Sequence, residues 1–254
     1  MKYNIDDAIQ FASWSKLAYG NDSLPIGPKY VWLDGLKSNP SVDVQVLVII
    51  KENDRIIFSG RGTHDIREFF LDANIKFKKV DNDGGVKVHT GFYNGVNSIW
   101  LQFLKVVDEN PNLPVYTTGH SLGAALARQI TYRLATEKNI LVKESITFGE
   151  PRSFNHKGKI SYEKFLIPTW RIMDENDIVC RVPWRLGMYK HVGNSIFYDA
   201  WGNMAENEPW FAHLPSDMYG IIKEALHKKD ALIYDHNIDL YIERLKQYKE
   251  NFLI

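Results

Sequence analysis

An α/β fold, with a mostly parallel central sheet covered by helices on both faces, is what this sequence predicts. Three observations carry the prediction. Short runs rich in β-branched and aromatic residues recur at 42–51, 55–59, 115–118, 145–148 and 169–173. Apolar residues fall at helical spacing at 6–19, 92–107, 122–134, 221–226 and 238–248. The segment Gly119-His120-Ser121-Leu122-Gly123 stands where one such strand must turn abruptly into an Ala-rich helix.

Taken in order, Ala8, Phe11, Ala12, Trp14 and Leu17 mark an amphipathic N-terminal helix. Residues 20–40, rich in Gly, Pro, Asn and Asp, read as loop. The runs 42–51 and 55–59 flank Glu52-Asn53-Asp54 and predict a hairpin. Val96, Ile99, Trp100, Phe103, Leu104 and Val107 share one side of the next helix. The strand at 115–118, the glycine-flanked turn and the helix after it follow. Two short strands come next, and two helices close the chain. With no internal repeat, low-complexity stretch or linker, residues 1–254 read as one domain.

Lys+Arg and Asp+Glu both number 31, and no long block of like charge breaks the balance. That gives no reason to expect a nucleic-acid partner. Cys180 is the single cysteine, which excludes an internal disulfide and argues against a thiol-based metal site. No metal or organic cofactor is expected. The first residues lack an apolar core of signal-peptide length, and the longest aliphatic run is too short to cross a bilayer. By default this points to a cytoplasmic chain, or to a secreted one whose leader has been removed.

Gly119-His120-Ser121-Leu122-Gly123 fits the G-x-S-x-G pattern of a nucleophile elbow, in the strand–turn–helix context that gives the pattern meaning. A sharp turn projects the Ser hydroxyl from the sheet. The N–H after it and the helix N-terminus face any oxyanion formed there. The plain alternative is a glycine-rich turn with an incidental Ser, against which strand, turn and helix all speak.

A Ser hydroxyl is a weak nucleophile at neutral pH and needs a base, itself oriented by a third group. Just beyond the strand at 169–173 stand Asp174, Glu175 and Asp177. Asp177 is preferred over Asp174 because Asn176 beside it suits tight loop geometry. Four histidines lie downstream. His227 reads as surface, and His213, between Ala212 and Leu214, as a packed residue. The residues alone leave His191 and His236 open.

Several segments, in one order, are similar to the fungal-type class 3 lipase family within the α/β-hydrolases. Val88-His89-Thr90-Gly91-Phe92 resembles its VHxGF element. Residues 118–126 resemble its TGHSLGGAL elbow, and Thr147-Phe148-Gly149-Glu150-Pro151-Arg152 its TFGxPR strand and loop. Asn176-Asp177-Ile178-Val179 with Pro183 resembles its acid loop, and Asp235-His236 its DHxxY. The resemblance covers roughly 45–245. It implies an α/β-hydrolase fold and a triad of Ser121, Asp177 and His236, which resolves the choice of histidine. Arg61-Gly62-Thr63 resembles the family's RGT, implying that Thr63, with the Leu122 N–H, forms the oxyanion hole.

Four departures stand out. Gly60 occupies a position where the family often has Phe, which is expected to alter the acyl-pocket wall. Ala124 replaces a frequent glycine, the tyrosine of DHxxY is displaced from position 239 to Tyr241, and the disulfides of many secreted members are absent. Residues 64–73 fall at the family's lid, with Ile66, Phe69 and Phe70 on one helical face; an ordinary packed amphipathic helix fits equally. Trp201, Met204, Trp210, Phe211, Leu214, Met218 and Tyr219 read mostly as core. The expectation is therefore a serine carboxylic-ester hydrolase acting on acylglycerols, meeting a lipid surface transiently through the lid. The rivals are a short-chain or feruloyl-type esterase, a phospholipase A1, and a catalytically silent lipase-like binding module.

Overall fold

The structure, a computed structural model, describes residues 2–35, 43–51, 53–63, 76–80, 85–174, 177–183, 189–199, 203–207 and 236–252. Its centre is an eight-stranded sheet. In chain order the strands are β1 (Lys29–Asp34), β2 (Gln45–Lys51), β3 (Arg55–Gly60), β6 (Val115–His120), β7 (Glu144–Phe148), β8 (Thr169–Asp174), β9 (Asn194–Tyr198) and β10 (Met204–Glu206). They lie side by side in that same order. The pairs from β3 to β9 are parallel, and both edges are antiparallel. A separate hairpin joins β4 (Phe77–Lys79) to β5 (Lys87–His89).

Five helices accompany the sheet: α1 (Ile5–Leu17), α2 (Thr90–Asp108), α3 (Leu122–Lys138), α4 (His156–Glu163) and α5 (Ile238–Phe252). Strand alternation sorts the core into two layers. Val46, Val48 and Ile50 of β2 join Phe58 of β3 against α2 and α3. Leu47, Ile49 and Ile57 point the other way, against α1 and α5. On α2 the predicted stripe Val96, Ile99, Phe103 and Val107 is buried in the first layer. Burying each such side chain is worth about 1.5–3 kcal/mol.

Six elements escape the sequence reading: β1, β4, β5, β9, β10 and α4. β1 lies inside the stretch read as loop, because a six-residue edge strand with only Leu33 buried is swamped by its Gly- and Pro-rich surroundings. α4, with only Gly158 and Tyr162 buried, shows no apolar stripe. β10 and the β4–β5 hairpin rest on three-residue strands. The helix expected at 221–226 lies outside the described residues. No described helix is long and apolar enough to cross a membrane.

Because β3, β6, β7 and β8 run parallel, Gly60, His120, Phe148 and Asp174 end on one edge of the sheet. In open parallel sheets that carboxyl edge is where ligands bind.

Candidate active site

The link from β6 to α3 is the tight turn expected. Ser121 has φ 60° and ψ −129°, a conformation an L-residue adopts only when its surroundings enforce it. The enforcement is visible. Ser121 N–H donates to the Phe148 carbonyl at 3.0 Å, and Ala124 N–H donates back to the Ser121 carbonyl at 3.0 Å. A Cβ on Gly123 would overlap the Gly60 carbonyl, so α3 starts in backbone contact with the end of β3. Gly60 thus permits this close approach beneath the elbow.

Leu122 begins α3, so its N–H has no acceptor within the helix. The Arg61-Gly62-Thr63 turn abuts the same point: a Cβ on Gly62 would stand 3.1 Å from Ser121 Cβ. Thr63, half-buried, is the next residue. Both expected oxyanion donors therefore flank the nucleophile candidate.

Asp177 lies just past β8, at the head of a short 3-10 turn, Ile178–Arg181. Its Oδ1 accepts from Val179 N–H at 2.8 Å, and its Oδ2 accepts from His236 Nδ1–H at 2.7 Å. The Tyr241 hydroxyl donates to the same Oδ2 at 2.5 Å. Burial would push this carboxyl up; the charge and hydrogen bond of His236, helped by Tyr241, outweigh it and hold the pKa below the usual carboxylate value. Asp174, the rival, instead pairs with Arg244 of α5 at 3.0 Å. Glu175 lies outside the described residues.

Both side chains of the His236–Asp177 pair are fully buried. With Nδ1 bonded to the carboxylate, Nε2 is left to exchange a proton, and it has no hydrogen-bond partner among the described residues. Ser121 Oγ is therefore not bonded to it here, a looseness common in ligand-free hydrolases. The two are nonetheless neighbours: the His236 ring lies 4.4 Å from that of His120, which precedes Ser121. It also abuts Gly149, which follows the carbonyl that Ser121 N–H engages. The rival His191, half-buried, donates Nε2–H to the Cys180 carbonyl at 2.8 Å, a backbone bond that gives it a structural role. His213 and His227 lie outside the described residues, as do Ile66, Phe69 and Phe70 of the expected lid. Among the described residues no cluster of His, Cys, Asp and Glu is arranged to hold a metal ion.

Two residues at the site were missed. Tyr241, read as a displaced tyrosine, reaches the acid because Ile238, Tyr241 and Leu245 form the buried face of α5. Asp239, at the family position, instead faces Lys16 at 2.9 Å. The i, i+3, i+7 spacing was the signal. Gly149, with φ +57°, is the second: a Cβ there would stand 2.7 Å from both Asp177 Oδ2 and His236 Cε1.

A parallel α/β sheet with a strained Ser on its carboxyl edge and a buried His–Asp pair beside it defines a member of the α/β-hydrolase class. The family model for lipase (class 3) matches residues 57–186, and the chain belongs to that family. Over 77% of the chain and 69% of the relative, it is 29% identical to the secreted mono- and diacylglycerol lipase MDL3 of Malassezia globosa. It is 26% identical to the lipase ZK262.3 of Caenorhabditis elegans, covering 72% of the chain and 56% of the relative. Lipase II from Rhizopus niveus superposes with a TM-score of 0.68 at 25% identity, over 76% of this chain and 80% of that one.

Proposed function

We propose that the protein is a serine carboxylic-ester hydrolase that cleaves acylglycerol esters. Ser121 is the nucleophile, His236 the general base, and Asp177 the acid that orients it; the N–H groups of Thr63 and Leu122 hold the oxyanion. The observation that carries the reading is the buried 2.7 Å contact between His236 and Asp177, beside a Ser121 held at φ 60°.

Chemically, Ser121 Oγ bonds to the ester carbonyl carbon while its proton passes to His236 Nε2, and the carbonyl electron pair moves to the oxygen. Asp177, ionised in its hydrogen-bonded setting, offsets the imidazolium charge. Collapse of the intermediate breaks the bond to the alkoxy oxygen, which leaves with the His236 proton. Water then cleaves the acyl-enzyme by the same sequence, with its proton taken by His236. Each lost oxyanion donor is worth on the order of 10²–10³ in rate.

The acylglycerol class rests on family membership and on relatives named mono- and diacylglycerol lipases and triacylglycerol lipases. Relatives from Malassezia and Fusarium are named as secreted, which favours the secreted alternative over a cytoplasmic one. Contact with a lipid surface through residues 64–73 belongs to the same proposal.

Hydrolysis of p-nitrophenyl esters from acetate to palmitate, beside mono-, di- and triolein and with Ser121→Ala as control, tests it. Turnover of the acylglycerols that vanishes in the variant is expected. Activity confined to acetate and butyrate would favour the short-chain esterase. No Ser121-dependent turnover on any ester would leave the silent binding module.

A further inference from the structure

His120, the residue before the nucleophile, has no part in the steps above, yet its ring is 3% exposed and lies against the base. Its centroid is 4.4 Å from that of His236, with the planes only 32° apart. At its other side the Tyr19 hydroxyl, from the end of the N-terminal helix, meets His120 Nδ1 at 2.6 Å. The same phenol oxygen lies against Gly62, whose N–H interacts with it, at the turn that carries Thr63. The Tyr19 hydrogen bond occupies His120 Nδ1 and leaves Nε2 as the second ring nitrogen. That Nε2 is buried without a hydrogen-bond partner among the described residues. Burial first, and then the neighbouring His236, hold the imidazole neutral well below its ordinary pKa. A buried, half-satisfied imidazole is a costly side chain to keep for packing alone.

We propose that Tyr19 and His120 form a positioning pair, with the Tyr19 phenol fixing the His120 ring as the wall against which His236 is held, and tying that wall to the oxyanion turn at Gly62. Neither residue touches the reacting atoms. The pair sets where the His236 ring stands relative to Ser121 Oγ, and it makes the N-terminal helix part of the active-site frame. This rests on the reading of His236 as the base. A small misplacement of a catalytic group is enough to cost on the order of a hundredfold in rate.

The test is Tyr19→Phe, which keeps the ring and its packing and removes only the hydroxyl, with His120→Gln as a second variant. Steady-state kinetics on p-nitrophenyl butyrate are run beside wild type and Ser121→Ala. The expected result is a kcat lower by about ten- to a hundredfold with KM within about twofold, at an unchanged circular dichroism spectrum. In parallel, ¹⁵N spectra of histidine-labelled protein should show the His120 ring nitrogens shifted in Tyr19→Phe, with those of His236 following. Wild-type kcat in Tyr19→Phe, or ring-nitrogen shifts identical to wild type, would overturn the proposal. If Ser121→Ala keeps full activity, the catalytic reading fails on its own. The nitrogen spectra then still decide whether Tyr19 and His120 hold His236. Should His120→Gln fail to fold, Tyr19→Phe carries both measurements.

Discussion

Gly149 sits at the residue scale of this site with a role no side chain could share. Its φ of +57° would strain any L-residue, and the space a Cβ needs is filled by Asp177 Oδ2 and His236. The His–Asp pair therefore rests directly on the backbone just after β7. In Gly149→Ala the methyl group must push the pair aside, so kcat should fall by on the order of a hundredfold or more. The strained backbone should separately cost about 1–2 kcal/mol. Stopped-flow acylation beside a thermal melt distinguishes the two effects: a loss of activity no larger than the unfolded fraction would sink the seat role. Residue-scale legibility was uneven in an instructive way. Ser121 was readable because strand, turn and helix signals converge on it. Asp177 and His236, the proposed acid and base, needed the family's order, since Asp174 is also buried and bonded and His191 is half-buried and bonded, and only contacts distinguish them. Gly149 was hidden because a glycine after a strand looks the same whether it turns the chain or makes room for a neighbour.

At the scale of elements, the loop carrying Gly149 is anchored by its next residue. Glu150, 2% exposed, receives Arg128 Nη2 of α3 at 2.6 Å and the Thr147 hydroxyl of β7 at 2.6 Å. Arg128 in turn donates to Ser145 Oγ at 3.0 Å and to the Tyr162 hydroxyl of α4 at 3.1 Å. One buried guanidinium thus joins α3, β7 and α4. Removing one partner of such a pair leaves a buried charge uncompensated, at about 3–5 kcal/mol. Glu150→Gln should lower stability by that order in urea titrations, with kcat per folded molecule reduced far less than in Gly149→Ala. A midpoint within experimental error of wild type would show that the pair contributes registry and not stability. The sequence disclosed α2 through its apolar stripe, and α3 and the β2–β3 hairpin through runs of small or apolar residues buried nearly throughout. It disclosed nothing of this network, since Arg128 stands within an Ala-rich helix with no local carboxylate partner, and Glu150 is 22 residues away.

For the whole molecule, the largest consequence of this packing is a dependence on pH. His89 and His120 are buried, and His191 half-buried, as neutral rings. Burial lowers His89 to about 4. It is also the main cause for the other two, joined by His236 at His120 and by Arg171 and Arg152 at His191. The unfolded chain takes up these protons near pH 6.5, whereas the folded chain resists them to lower pH. Below about pH 6.5 the unfolded state therefore binds more protons, and stability that is complete above that value is lost as pH falls toward the folded pKa values. For His89 alone the window runs from about 6.5 to about 4, with a total cost on the order of 3 kcal/mol. Asp177, whose pKa is depressed, keeps its contribution through this range and loses it only below the ordinary carboxylate value. None of this could be read from the chain, because a histidine's burial depends on neighbours as remote as Tyr19 is from His120, 101 residues apart. The check is a series of urea midpoints between pH 7.5 and 5, for wild type and for His89→Asn. Asparagine can keep the N-cap bond that His89 Nδ1 accepts from Phe92 N–H, while removing the titrating ring. Wild type should lose stability steadily below pH 6.5, and His89→Asn should lose less over the same interval. Equal slopes in the two proteins would mean that His89 is protonated in the folded state at no cost, and that the aromatic packing around it yields to the charge.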